Sequence, residues 1–233
     1  MTGFLIQIAI AAIPVIFAIT LHEAAHGYAA LALGDDTARS MGRLSLNPLR
    51  HVDRVGTLLL PGALMLGQLL TIGRVVFLFG WAKPVPVSAW RFADPRRGMA
   101  LVAAAGPAMN FFLAWLAALL MHGSALLADP AGEVVDTMLQ TFILANLVLG
   151  LFNLLPIPPL DGGRIMVGIL PLRLAEAWAR LERAGIVIVL LLAFLLPRLL
   201  AEFGIQFDPI GNALNTGLPW AFDLVYRLAF HYA

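Results

Sequence analysis

Apolar residues occur along this chain in long, nearly uninterrupted runs, not in the strict alternation of a half-buried strand. A helix that spans a bilayer needs about 20 mostly apolar residues, and several runs approach that length. We number them I to V, at 4–33, 55–72, 98–121, 134–155 and 184–200. A weaker patch at 219–230 is amphipathic and too short to span. The pattern predicts an all-α polytopic membrane protein with about five membrane segments.

The composition supports a membrane protein and excludes other classes. Hydrophobic residues make up 61% of the chain and charged residues only 12%, against about 45–50% and 25% in soluble domains. The net charge of +1 is no basic footprint for nucleic acid. Cysteine is absent, so any metal must be held by His, Asp or Glu. The length of 233 residues fits one compact domain in the lipid bilayer.

The loops differ in charge, and this difference predicts the topology. Lys and Arg are concentrated in the loops 34–54, 73–97 and 156–183 and are absent from 122–133. Because Lys and Arg collect on the cytoplasmic side, both loops around segment II are expected there. Segment II would then enter the membrane and return, while I, III, IV and V cross it from an external N-terminus. The alternative is that segment II crosses and Arg-rich loops lie on both faces.

A short extended element is expected after segment II. Residues 75–79 are β-branched and aromatic, and Pro84 and Pro86 stand at alternate positions. Proline in such a pattern is typical of an edge strand. We therefore predict an extended or β element over 74–87, near a membrane site and able to pair with an added peptide strand. An interfacial loop is an equally good interpretation.

Segment I contains the first chemical motif, His22-Glu23-Ala24-Ala25-His26. Residues i and i+4 share one face of a helix, so the two imidazoles can bind one Zn²⁺ ion. The intervening Glu23 can accept a proton from water that the metal activates. Ionisable residues inside a membrane segment are costly and usually functional. A polar cluster that only packs helices together is the competing interpretation.

A catalytic zinc site needs a third protein ligand, and Asp161 is the best candidate. Prolines break segment IV just before it, and Gly162 and Gly163 permit close approach beside it. If segments I and IV run parallel, Asp161 and the two histidines lie at a similar depth. Asp161 could instead cap the following helix. His51 is a candidate by residue type, but its Arg-rich loop favours a packing role.

Two motifs together resemble the site-2 protease family of intramembrane zinc metalloproteases. That family pairs His-Glu-x-x-His in one transmembrane helix with Asn-x-x-Pro-x-Pro-x-x-Asp-Gly in another. Both are complete here, at 22–26 and 153–162. Further stretches resemble its small prokaryotic branch, which lacks a PDZ domain, and they lie at 47–51, 79–86 and 106–110.

The resemblance implies a role for each motif residue. His22, His26 and Asp161 would bind one Zn²⁺ per chain. Glu23 would be the general base, and Asn153 would help to hold the scissile peptide. The single metalloprotease domain would cover 1–233, with a catalytic core at about 4–174 and C-terminal membrane segments at 184–233.

The implied function is hydrolysis of peptide bonds within or near transmembrane segments of other membrane proteins. The enzyme would reside in a prokaryotic inner membrane, with its active site toward the cytoplasm. Its partners would be transmembrane substrates and the lipid bilayer. The alternatives are a zinc transporter and a non-catalytic scaffold that binds transmembrane helices.

Overall fold

The fold is a bundle of helices, seen here in a computed structural model that describes residues 2–74, 80–124, 126–127 and 129–230. In chain order the helices are α1 (Thr2–Ala32), α2 (Thr37–Ser40), α3 (Leu60–Ile72), α4 (Pro95–Ser124), α5 (Ala131–Asn153), α6 (Asp161–Ile169), α7 (Leu172–Arg180), α8 (Gly185–Leu190), α9 (Leu196–Glu202) and α10 (Pro209–Leu228). A π-helical stretch, Arg54–Leu59, leads into α3, and another, Leu191–Leu195, joins α8 to α9. The prediction of an all-α protein is confirmed.

Among the described residues, five helical stretches are long and apolar enough to cross a membrane. They are Ala12–Ala32, Arg54–Ile72, Pro95–Ser124, Ala131–Asn153 and Leu172–Glu202. These correspond to segments I to V, although the fifth begins earlier than predicted because α7 continues into α8. The chain is therefore an integral membrane protein.

The core lies where α4 packs between α1, α5, α6 and α10. Small residues of α4 lie against larger ones of α5 there: Ala114, Ala117 and Ala118 are buried in one cluster with Ile143 and Leu147. Small side chains let helix backbones approach closely in a membrane, where packing rather than water drives association. The tight contact holds α1, α4 and α5 in fixed relative positions.

Helix α10 packs against both α4 and α5, and its Ala221 and Val225 belong to the same buried cluster. The indole Nε1 of Trp115 donates to the carbonyl of Leu228 at 3.2 Å. Nε2 of His122 lies 2.8 Å from the carbonyl of Ala229. These contacts satisfy carbonyls at the end of α10, which otherwise lack helical partners.

The residues that begin segment II lie beside the residues at 80–81 that follow it. The N–H of Trp81 donates to the carbonyl of Gly56 at 3.2 Å, and the hydroxyl of Thr57 donates to the carbonyl of Trp81 at 2.9 Å. A Cβ on Gly56 would collide with the Trp81 ring, and one on Gly80 would collide with the Gly56 carbonyl. Residues 56 and 81 are thus held together at close glycine contacts, and we call the part of the chain that they enclose the closed excursion of segment II.

The prediction of a β element over 74–87 is not supported. Residues 75–79 lie outside the described residues, and 80–88 form neither helix nor strand. The backbone N–H groups of this 80–88 segment donate to acceptors on different parts of the chain. The N–H of Lys83 donates to the His51 carbonyl at 2.8 Å, and the N–H of Val85 donates to the Glu23 carboxylate at 3.1 Å. Pro84 and Pro86 supply no N–H at all, so a regular ladder does not form.

The end of the 80–88 segment is anchored to the turn after α1 by Asp35, which is buried. Its carboxylate accepts from the N–H of Ser88 at 2.6 Å and from the N–H and hydroxyl of Thr37. Burial would raise the pKa of the Asp35 carboxyl, but these hydrogen bonds and nearby Arg91 lower it below its ordinary value. An ionised Asp35 therefore holds the 80–88 segment against α1.

Candidate metal centre

Two histidines of α1 and one aspartate of α6 converge at a buried point. Nε2 of His22 lies 3.1 Å from Nε2 of His26. Oδ2 of Asp161 lies 3.1 Å from the first and 3.3 Å from the second. His22 is 5% exposed and Asp161 is 7% exposed. The spacing of four residues on one helix face brings the imidazoles together, and α6 supplies the carboxylate.

The break after α5 places Asp161. Helix α5 ends at Asn153, and the prolines at 156, 158 and 159 prevent its continuation. A Cβ on Gly162 would collide with the carbonyls of Leu154 and Leu155, and one on Gly163 would lie 2.6 Å from the backbone nitrogen of Pro158. The two glycines thus let α6 begin directly against the loop.

Asp161 does not cap α6, which is the alternative role that the sequence allows for this residue. It is the first residue of α6, the N-cap residue is Leu160, and no side-chain bond caps that helix. Its carboxylate faces the histidines instead. The local sequence therefore serves to present this carboxylate to α1.

The hydrogen-bond partners of the imidazoles show that the centre suits a cation. Nδ1 of His26 lies 2.7 Å from the carbonyl oxygen of Val102, and Nδ1 of His22 lies 2.6 Å from Oδ1 of Asn110. An oxygen of this kind only accepts, so each Nδ1 carries the hydrogen and each neutral Nε2 offers a lone pair. Oδ2 of Asp161 is buried with no hydrogen-bond donor among the described residues. With both imidazoles neutral, three acceptors thus face one another, and a bound cation would satisfy all three.

The spacing of these acceptors fits zinc. Ligands at about 2.0–2.1 Å from a tetrahedral ion lie roughly 3.3 Å apart, and the three distances here are 3.1, 3.1 and 3.3 Å. Two imidazole nitrogens and one carboxylate oxygen make a donor set of the catalytic type, which leaves a fourth position open. The residues present therefore fit a zinc ion.

Gly106 of α4 gives the imidazoles their space. A Cβ at this position would lie 2.5 Å from Nε2 of His26 and 2.6 Å from Cε1 of His22. The backbone of α4 thus forms one wall of the centre. The sequence motif at 106–110 contains Gly106 and Asn110, but sequence reasoning assigned neither residue a role.

The other predicted residues are not among the three that converge at this centre. Glu23 is half-buried on α1, next to His22, and its Oε2 accepts the N–H of Val85. Asn153 is the last residue of α5, where its amide donates to the Leu149 carbonyl at 3.0 Å. His51 is buried, with Nε2 2.8 Å from the Ser45 carbonyl, and is not part of the metal-binding group.

Fold and site together define a helical membrane protein with a zinc centre between its helices. Residues 121–196 match the sequence profile of peptidase family M50. YwhC of Bacillus subtilis, a protein named as a zinc metalloprotease, is 40% identical over 185 residues, which are 77% of this chain and 78% of YwhC. Rip2 of Mycobacterium tuberculosis, named likewise, is 31% identical over 88% of this chain and 69% of its own length.

The chain belongs to peptidase family M50, the site-2 protease family, and is a zinc metalloprotease. No solved structure shows significant similarity to it.

Proposed function

We propose that this protein hydrolyses peptide bonds within or near transmembrane segments of other membrane proteins. The observation that carries the proposal is the position of the centre. His22 and His26 lie within Ala12–Ala32, a helix able to span the membrane. His26 is six residues before the end of α1, a rise of about 9 Å. A peptide bond must therefore reach the centre from inside or beside the bilayer.

The residues around the centre support a hydrolytic role. His22, His26 and Asp161 would hold the zinc ion, which, when bound, supplies Lewis acidity to activate water and polarise a carbonyl. Glu23 would accept a proton from the attacking water and pass it to the leaving amine. The N–H of Val85 fixes the orientation of the Glu23 carboxylate. Asn153, at the end of α5, would bind the backbone of the scissile peptide.

A helical substrate resists this reaction because its carbonyls are hydrogen-bonded within the segment. Local unwinding must free the scissile carbonyl before it can be attacked. Substrates whose membrane segments contain Gly or Pro lose less helical stability on unwinding. We therefore propose that such substrates are preferred.

Orientation in a prokaryotic inner membrane, with the centre toward the cytoplasm, is also proposed. The Arg-rich loops support it, as does the closed excursion of segment II. Because residues 56 and 81 are in contact, the two loops that flank α3 meet at one place. Segment II would then be re-entrant, and not a crossing.

Cysteine probes can test this topology, since the chain has no native cysteine. Single cysteines at Arg50 and Trp90, both exposed, are expected to react from the same, cytoplasmic side of the membrane. The measurement is labelling by an impermeant maleimide in intact and in permeabilised cells. Labelling of the two positions from opposite sides would contradict the re-entrant topology.

Zinc removal is expected to abolish proteolysis reversibly. The test uses protein reconstituted in liposomes with a single-pass reporter whose membrane segment contains Gly or Pro. Cleavage should stop on treatment with a zinc chelator and return when zinc is restored, because three ligands of the centre come from the folded bundle itself. Absence of cleavage, combined with zinc movement across the vesicle membrane, would favour a transporter instead.

A further inference from the structure

Two buried amides lie in line behind His22. Asn110 of α4 and Asn146 of α5 are both 0% exposed. Oδ1 of Asn110 lies 2.6 Å from Nδ1 of His22, and Nδ2 of Asn110 lies 2.9 Å from Oδ1 of Asn146. Nδ2 of Asn146 lies 2.8 Å from the carbonyl oxygen of Phe142. A chain of hydrogen bonds thus runs from the α5 backbone to a metal-binding imidazole.

The backbone carbonyl of Phe142 determines which way the hydrogen bonds of this series point. Oxygen and nitrogen of a side-chain amide are normally distinguished only by their partners. The carbonyl of Phe142 cannot donate, so the NH₂ group of Asn146 must face it and its oxygen must face Asn110. The NH₂ group of Asn110 then faces Asn146, with a second, longer contact of 3.4 Å to the carbonyl of Ala18. Its oxygen is left facing His22.

This direction decides which nitrogen of His22 carries the hydrogen. An oxygen opposite Nδ1 requires Nδ1–H, and the Nε2 lone pair then faces His26 and Asp161. A reversed Asn110 would present its NH₂ group to Nδ1. The hydrogen of the neutral ring would then move to Nε2, where it would block one ligand position.

We propose that Asn146 is a positioning residue of the metal centre, acting through Asn110 to fix the tautomer of His22. Asn146 touches neither His22 nor Asp161 in this chain of contacts. Removing its oxygen leaves the NH₂ group of Asn110 with only the longer contact to the Ala18 carbonyl, so a reversed Asn110 is no longer opposed by a short hydrogen bond. His26 needs no such device, because the Val102 carbonyl sets its tautomer directly. The proposal rests on the zinc ligands of the proposed function but not on proteolysis.

A matched pair of variants tests the proposal. Asn146→Leu keeps the approximate size of the side chain but removes the acceptor. Asn146→Asp retains an oxygen that accepts from Asn110, and as the neutral acid that burial favours it can donate its hydroxyl to the Phe142 carbonyl in place of the amide. Zinc affinity, measured by competition with a chelating dye, is expected to fall by about 10–100-fold in Asn146→Leu, the range typical for loss of an outer partner of a ligand histidine. In Asn146→Asp it is expected to stay close to that of the unmodified protein.

The second readout is made on the metal-free protein and judges this proposal alone. With ¹⁵N-labelled histidine, NMR distinguishes Nδ1–H from Nε2–H in each imidazole. Nδ1 of His22 is expected to carry a hydrogen in the unmodified protein and in Asn146→Asp, whether or not a proton also lies on Nε2 beside Asp161. In Asn146→Leu, Nδ1 is expected to lose that hydrogen in part of the molecules, because a reversed Asn110 presents its NH₂ group there. Leu147→Ala, at the neighbouring buried position, is the control, since it loosens packing and leaves the amides intact.

An unchanged His22 tautomer and zinc affinity in Asn146→Leu would overturn the proposal. Equal changes in Leu147→Ala would also overturn it, because the effect would then come from packing. If Asn146→Leu does not fold, Asn146→Ala removes the same acceptor without bulk and is judged by the same two readouts. Failure of the unmodified protein to cleave any reporter would contradict the proposed function and leave the tautomer result standing.

Discussion

Replacing Glu23 with glutamine is expected to lower peptide hydrolysis by about 10²–10⁴-fold, the usual contribution of acid–base catalysis. This loss corresponds to about 3–5 kcal/mol of barrier. An amide cannot accept the proton of the attacking water at neutral pH. Its oxygen can still accept the N–H of Val85, so the 80–88 segment should stay in place. Zinc content should not change, because Glu23 is not one of the converging ligands.

Reporter cleavage and zinc content are to be measured on the same Glu23→Gln preparation. Glu176→Gln, at an exposed position of α7, serves as the control and should cleave like the unmodified protein. Undiminished cleavage by Glu23→Gln would show that Glu23 is not the general base. Loss of zinc in that variant would mean that the metal centre depends on Glu23 in a way that the geometry does not indicate.

Adding one methyl group at Gly106 is expected to disrupt the centre, although none of the three proposed metal ligands is itself replaced. In Gly106→Ala the new Cβ would lie 2.5 Å from Nε2 of His26, closer than such atoms can approach. The imidazoles or α4 must therefore move. Since a misplacement of about 1 Å can cost roughly 10²-fold in rate, we expect at least that loss of hydrolysis. Zinc affinity should also fall.

Gly123→Ala is the matched control for this change. It lies on the same helix, and a Cβ there would meet no atom of the described residues within 4 Å. It should retain zinc and activity. If Gly106→Ala binds zinc as tightly as Gly123→Ala does, the close approach of α4 to the imidazoles does not determine the metal centre.

The spans and the convergence of His22, His26 and Asp161 could be predicted from the sequence, because those features follow from short-range patterns. Four-residue spacing places His22 and His26 on one face of any helix. The prolines that follow Asn153 end α5 whatever the helix packs against, and Asp161 follows the last of these prolines closely. The partners behind these residues could not be predicted. Asn110 meets His22 across 88 residues of sequence, and a single amide in an apolar helix gives no sign of what it faces.

The prediction of an extended element over 74–87 is not supported, and the reason is related. Alternating prolines describe the backbone that residues 84–86 can adopt, but a strand also needs a neighbouring strand with which to pair. The neighbours here are isolated acceptors on α1 and in the loop around His51. No local pattern states whether a second strand is available, so the prediction could not be made from this stretch alone.

The closed excursion of segment II has an evolutionary consequence. Its two ends are joined at Gly56 and Trp81, so residues can be inserted or deleted between them without changing the distance between those ends. The 80–88 segment would keep its contact with Glu23 whatever the length of the excursion. We therefore expect relatives to differ in length mainly between 57 and 79, and to keep small residues at the closure points 56 and 80. A re-entrant segment need not match the thickness of the bilayer, as the crossing helices must, so its length is free to vary.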